Sequence, residues 1–396
     1  MFDISVDDKI VEEHYEKVKA QCESIIRKLK GKKFKKNQVD FKYISNADLE
    51  AANKKFIEFL KWIEKEENIK KIITGKPKEL LDIYNDIVDK FSFNICKFHK
   101  DKKGKYVYEF YEDENGKNIY EFHQVFGEYG IRGETVLKEI EKIFNYIWFR
   151  DKYAYELTDK MKVNICPYCN REFVFTVIDE DGKNIIRPEL DHYFPQSKYP
   201  MYSLSIYNLI PSGHICNSNI KGKNNLNLND HLHPYIIENK EFSFVMDMKN
   251  GQIKDTEIQI TSEHPKVNNT IDFFKLRQIY KCHKDVSDDI KKIYDTYKPQ
   301  KIIDYVNYLK GFENQNITKN DVLETIYHKY IVENEDCEIL GKLRKDLYKE
   351  IYEVYAKYFN DNEKKCHLVM EWMSRCICDS MYFFFRFNLF CFNVAI

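Results

Sequence analysis

Asp191 and His192 stand side by side in the stretch ELDHYFPQSKYP, where an apolar run gives way to a loop broken at Pro195. An imidazole with an ordinary pKa near 6.5 is largely neutral yet basic at pH 7, so His192 is suited to taking a proton from water. A carboxylate such as Asp191 suits a hard divalent cation, which needs few protein ligands because it keeps several of its waters. Upstream, Cys166 and Cys169 form a C-x-x-C in NICPYCNREF, the spacing at which two thiolates reach one tetrahedral ion. Downstream, HICNSNIKGKNN offers Cys216, Asn217 and Lys221 on a segment expected to be a helix ending near Gly222, and YNLIP holds Asn208. A general base and a hard cation are the parts needed to hydrolyse a phosphodiester. Alone, each part is commonplace: Asn208 as a turn residue, Asn217 as a helix cap and Lys221 as a solvated cation.

In this order, CPYC, ELDHYFPQSKYP, YNLIP and CNSNIKG resemble the HNH endonuclease family, over about 70 of the 396 residues. The resemblance implies a ββα-metal module that cleaves DNA, with His192 as general base. Asp191 and Asn217 would be ligands of a catalytic Mg2+ or Mn2+, and Asn208 a structural residue whose amide holds the loop carrying His192. It further implies a structural zinc on Cys166, Cys169 and Cys216. Modules of this form are similar to those of bacterial anti-phage and mobile-element defence systems, some of which act beside an ATPase partner. A non-catalytic, zinc-stabilised nucleic-acid-binding or scaffold protein is the competing expectation.

The pattern departs from the family at one position. The second knuckle should be another C-x-x-C, and here it reads GHIC, with Gly213 where the fourth cysteine belongs. His214, water, a remote thiol such as Cys376 or Cys378, or an incomplete site are the alternatives. His231 and His233, in NDHLHPY, could flank the metal or contact phosphate, although histidines before a proline are more often surface residues. His283, beside Cys282, reads as packing.

One compositional feature points to an anionic ligand without any family. From Tyr193 to Asn229, 37 residues contain no Asp or Glu, against about six expected from the chain-wide frequency. Lys198, Lys221 and Lys223 lie there, and a patch cleared of carboxylates suits contacts to a phosphate backbone. The run RKLKGKKFKK, residues 27–36, carries seven cations and could serve the same purpose or form a solvated helix end.

The elements that must position these residues follow from periodicity. Residues 7–90 show apolar positions at three-to-four spacing, and so does 133–157. Aromatic alternation around Asn115-Gly116 suggests a hairpin, and EFVFTVI followed by IIRPEL suggests a second one delivering Asp191 and His192. Beyond residue 240, EFSFVMDM and QIKDTEIQI read as strands, and 272–297 and 334–359 as long helices. The expected fold class is α+β: a mostly helical protein with an embedded ββα-metal HNH nuclease module. Its parts are a helical region with a hairpin at 1–150, the module at 151–240 and a mainly helical region at 241–396.

Composition limits the remaining possibilities. A formal net charge of -1 gives no global attraction to nucleic acid, so any basic surface must arise by local segregation. Eleven cysteines without an apolar leader suggest a cytoplasmic protein with thiols and metal ligands in place of a disulfide framework. No uninterrupted apolar run reaches the roughly 20 residues that span a bilayer, and no membrane partner is expected. The aromatic tail SMYFFFRFNLFCFNVAI is read as a segment that docks on the body or on a partner.

Overall fold

The computed structural model describes residues 3–33, 46–91, 97–100, 106–109, 139–197, 199–222, 224–236, 241–311, 316–333 and 338–362. Lys198, Lys223, Asn115-Gly116, Cys376, Cys378, residues 34–36 of the basic run and the aromatic tail lie outside them. The chain divides into two compact units, Met1–Lys240 with His264–Phe274, and Glu241–Glu263 with Lys275–Ile396. The first runs through residue 150 without a break. Its N-terminal helices and the central constellation therefore share one body.

In the first unit, α1 (Asp8–Leu29) buries Val11, His14, Tyr15, Val18, Cys22, Ile26 and Leu29, one face at helical spacing. Asp7 caps its N-terminus by accepting from the Lys9 amide. α2 (Asn46–Ile63), α3 (Glu66–Thr74) and α4 (Pro77–Phe91) follow, with α3 packed against its neighbours through Ile69, Ile72 and Ile73. In the described part of the basic run Lys30 pairs with Glu64 and Lys32 with Glu139, while Arg27, Lys28 and Lys33 are exposed. β1 (Lys97–Lys100) and β2 (Tyr106–Glu109) form an antiparallel pair connected through 101–105, N-terminal to the Asn115-Gly116 expected for a turn. Asn145 then caps α5 (Tyr146–Lys152), and α6 (Ala154–Met161) leads into the first cysteine pair.

The expected hairpin before Asp191 is split. β3 (Val177–Ile178) pairs with β4 (Asn184–Ile186), while β5 (Glu189–His192) pairs with β6 (Leu209–Ser212) in a separate antiparallel sheet. Arg187 and Pro188 separate β4 from β5, and the proline, lacking an N–H, cannot continue a ladder. In the second sheet Asp191 faces Ile210 and His192 faces Leu209. β6 runs on, through Gly213 and His214, into a wide-turned π-helix, Ile215–Lys221. The Gly222 amide closes it onto the Asn217 carbonyl at 2.7 Å, with Gly222 at φ +50 and ψ -124, a backbone conformation open to glycine.

In the second unit, β7 (Ser243–Lys249) and β8 (Gln252–Thr261) pair across Asn250 and Gly251, both left-handed, as a two-residue hairpin demands. The edge of β7 is covered, since Asp346 and Glu350 accept from the Phe244 and Met246 amides. Both acids sit on the C-terminal helix, α12 (Gly341–Asn362), whose predecessors are α7 (Pro265–Phe273, in the first unit), α8 (Leu276–Lys281), α9 (Lys284–Thr296), α10 (Pro299–Lys310) and α11 (Lys319–Tyr327). The single helix expected over 272–297 is thus interrupted, first at Lys275, which is left-handed, and again at His283. Among the described residues, no helix is long and apolar enough to cross a membrane.

Candidate functional site

β5, β6 and the π-helix assemble the central residues, and the 16-residue loop between the strands is held from two sides. From within, Asn208 is fully buried: its Oδ1 accepts from the Phe194 amide at 2.7 Å, and its Nδ2 donates to the carbonyls of Phe194 and Tyr202 at 3.2 and 2.9 Å. These bonds tie both Phe194 and Tyr202 to the end of the loop. From outside, the N-terminal helices take hold. His14 donates through Nε2 to the Leu204 carbonyl at 2.7 Å, Ser205 donates to Ile72, and Tyr202 donates to the Leu80 carbonyl at 2.5 Å. Sequence reasoning missed this support, because hydrogen bonds across more than 100 residues leave no local spacing.

His192 ends β5, half-buried, with Nε2 3.0 Å from the Ser203 carbonyl. A carbonyl only accepts, so the proton sits on Nε2 and the lone pair on Nδ1. Tyr146 packs edge-on against the ring, centroids 4.5 Å apart, and fixes its plane. Burial lowers the imidazole pKa below its ordinary value, keeping the ring neutral.

Asp191 is almost fully buried and both its oxygens are engaged. Oδ2 accepts from the Tyr168 hydroxyl at 2.6 Å, and Oδ1 accepts from the Lys221 ammonium at 2.8 Å. Lys221 also donates to the His192 carbonyl at 2.7 Å and is 1% exposed. The lysine expected to meet phosphate is instead the internal counter-ion of Asp191, tying the π-helix to the end of β5. Asn217, the other expected cation ligand, donates to Glu189 Oε2 at 2.9 Å, and Ser218 donates to the same oxygen. The carboxylate-amide set therefore does not present a cation site as arranged.

Glu189 also corrects the acid-free patch. Although 193–229 contains no carboxylate in sequence, β5 brings Glu189 onto the π-helix, where it meets Asn217, Ser218 and His214 Nδ1, the last at 2.7 Å. The pairing with Glu189 raises the His214 pKa above its ordinary value. That contact also turns this nitrogen of His214, a possible fourth zinc ligand, to Glu189. His231 and His233 are tied into packing. The His231 ring lies against Phe273, and His233, buried, packs at a tilt on Tyr193, ring centroids 4.1 Å apart, and accepts from the Tyr235 amide. His283 rests on Tyr280, consistent with a packing role.

Cys166, Cys169 and Cys216 converge, with ligand atoms within 4.8 Å of one another and all three side chains buried. Cys166 and Cys169 lie in a tight turn closed by the Cys169 and Asn170 amides on the Cys166 carbonyl, and Cys216 arrives on the first turn of the π-helix. The Arg171 and Gly213 amides point at the sulfurs of Cys169 and Cys166, as donors that favour thiolate. Hydrogen bonds from Cys166 and Cys216 hold the Cys169 thiol low, at about 4, while burial pushes Cys166 up to about 12. Soft sulfur donors at this separation fit a thiophilic ion. This buried cluster could hold a metal ion.

No protein-family model, curated protein or solved structure matches this chain.

Proposed function

We propose that the first unit is a metal-dependent HNH-type endonuclease module that hydrolyses DNA phosphodiester bonds, as in bacterial anti-phage or mobile-element defence. The observation that supports this reading best is His192. Its ring is neutral, its Nε2–H is committed to the Ser203 carbonyl, and its Nδ1 is left as the basic atom at a strand end beside Asp191. A base so oriented can take the proton of a water attacking phosphorus. Asn208 and the helices behind 193–208 keep that nitrogen in place, and the thiolate cluster anchors the π-helix that carries Asn217 and Lys221. A divalent cation would supply charge neutralisation at the phosphate. Asp191, engaged by Lys221 and Tyr168, would have to be released to hold it. An ATPase partner and a cytoplasmic setting belong to the same proposal by resemblance.

The second reading, a zinc-stabilised nucleic-acid-binding scaffold without cleavage, draws support from that closed Asp191 pair. A plasmid-nicking assay with magnesium or manganese, and with EDTA, separates the two. The nuclease reading expects cation-dependent nicking, and His192→Ala should lower it about 10²- to 10⁴-fold with DNA binding retained. DNA binding without cleavage in wild type supports the scaffold. Cleavage by His192→Ala within a few-fold of wild type removes His192 as the base.

A further inference from the structure

Gly213 is the position from which a fourth cysteine is missing, and its side-chain space is filled by another residue. A Cβ built on Gly213 would lie 1.9 Å from Glu172 Oε2 and 2.2 Å from its carboxyl carbon. Glu172 follows Cys169 by three residues, and its backbone carbonyl accepts from the Cys166 amide, so its chain is fixed to the knuckle. Its Oε2 is buried without a hydrogen-bond partner among the described residues. An unpaired carboxylate oxygen out of water is costly, and such groups are ordinarily neutralised, paired or bound to metal. Burial and the neighbouring Cys166 raise the Glu172 pKa above its ordinary value, against the amides of His214 and Ile215, which face the carboxylate.

We propose that Glu172 is the fourth ligand of the metal held by Cys166, Cys169 and Cys216, giving a three-thiolate, one-carboxylate zinc site in which Gly213 makes room for the carboxylate. The lengths are compatible. A cysteine Cβ stands roughly 3.3 Å from the zinc it ligates through sulfur, and a carboxylate oxygen binds at roughly 2.0 to 2.2 Å. The Glu172 oxygens stand outside the 4.8 Å that encloses the three sulfurs, and an oxygen 1.9 Å from that Cβ position needs a shift of up to roughly 3 Å to bind, within reach of a glutamate side chain. Three thiolates and a carboxylate would carry one more negative charge than a site closed by histidine. The inference depends on the cysteine cluster and is independent of the nuclease reading.

The test is zinc per protein after dialysis against a weak chelator, together with the visible spectrum of the cobalt(II) form. It is made on full-length wild type, Glu172→Gln, Glu172→Ala and the double variant Glu172→Ala/Gly213→Cys. Wild type should hold one equivalent. Glu172→Ala and Glu172→Gln should bind at least about tenfold more weakly, and the double variant should recover retention, with cobalt bands moved to longer wavelength and stronger sulfur-to-cobalt absorption. In metal-free protein, Glu172→Gln should be as stable as wild type or more so, because it keeps the size of the side chain and removes an acid whose ionisation burial disfavours; a residue that served only in packing would lower stability in both states. Zinc retention unchanged in Glu172→Ala, or wild type that binds no zinc, overturns the proposal.

Discussion

The Asp191–Lys221 pair sets the character of the site. Two opposite charges, each almost wholly out of water, attract strongly but forfeit hydration, so the pair adds little over an apolar pair, while either member alone is costly. Lys221→Met should accordingly destabilise the first unit by about 3 to 5 kcal/mol. Adding Asp191→Leu should cost less than the sum of the two single changes, as denaturant unfolding of all four proteins would show. Asp191→Asn keeps the acceptor for Tyr168 and removes the charge. Under the nuclease reading it should raise the magnesium concentration needed for half-maximal nicking, and an unchanged titration would remove Asp191 as a cation ligand.

Among the elements, the loop from Tyr193 to Asn208 depends on single side chains. Asn208→Ala strands two backbone groups of Phe194 and one of Tyr202, for a loss of about 2 to 4 kcal/mol measured by denaturant unfolding. His14 ties α1 to the same loop and adds a pH dependence. Burial lowers its pKa to about 4, from an ordinary 6.5. Between those values the unfolded chain binds a proton that the folded chain does not. Its contribution is therefore complete above about pH 6.5 and is lost as pH falls toward 4, by about 3 kcal/mol in all. His14→Gln keeps an N–H for the Leu204 carbonyl and does not titrate, so its stability should fall less than that of wild type between pH 7 and 5. Parallel declines would show that His14 is not the group responsible.

For the whole molecule, two units with separate cores imply that metal loss acts locally. A structural ion in a small domain can supply most of the folding free energy, but here each unit has its own extensive apolar core. Chelation should raise amide hydrogen exchange in 164–174 and 213–222, and leave 243–261 and 341–362 unchanged. Equal deprotection of both units would mean that they unfold as one. The Glu172 ligand set bears on the same experiment, since Glu172→Ala should show the raised exchange before any chelator is added.

Local chemistry made part of this protein legible from its residues alone. The helical face of 8–29, a long helix near the 334–359 expected and found at 341–362, the strands at 243–261 and the pairing of Cys166 with Cys169 follow from periodicity and short spacing, whereas Cys216 joined them by resemblance. The loop-holding role of Asn208 was expected from resemblance, and its amide makes three hydrogen bonds to Phe194 and Tyr202. Tertiary structure alone decided what meets across long separations: Lys221 under Asp191, Glu189 on the π-helix, His14, Ile72 and Leu80 behind the loop, and Glu172 in the space beside Gly213. The reason is physical. Periodicity records which face of an element is apolar, whereas the pairing of two buried charges, or the space left by a missing Cβ, exists only once distant segments have packed and excluded water.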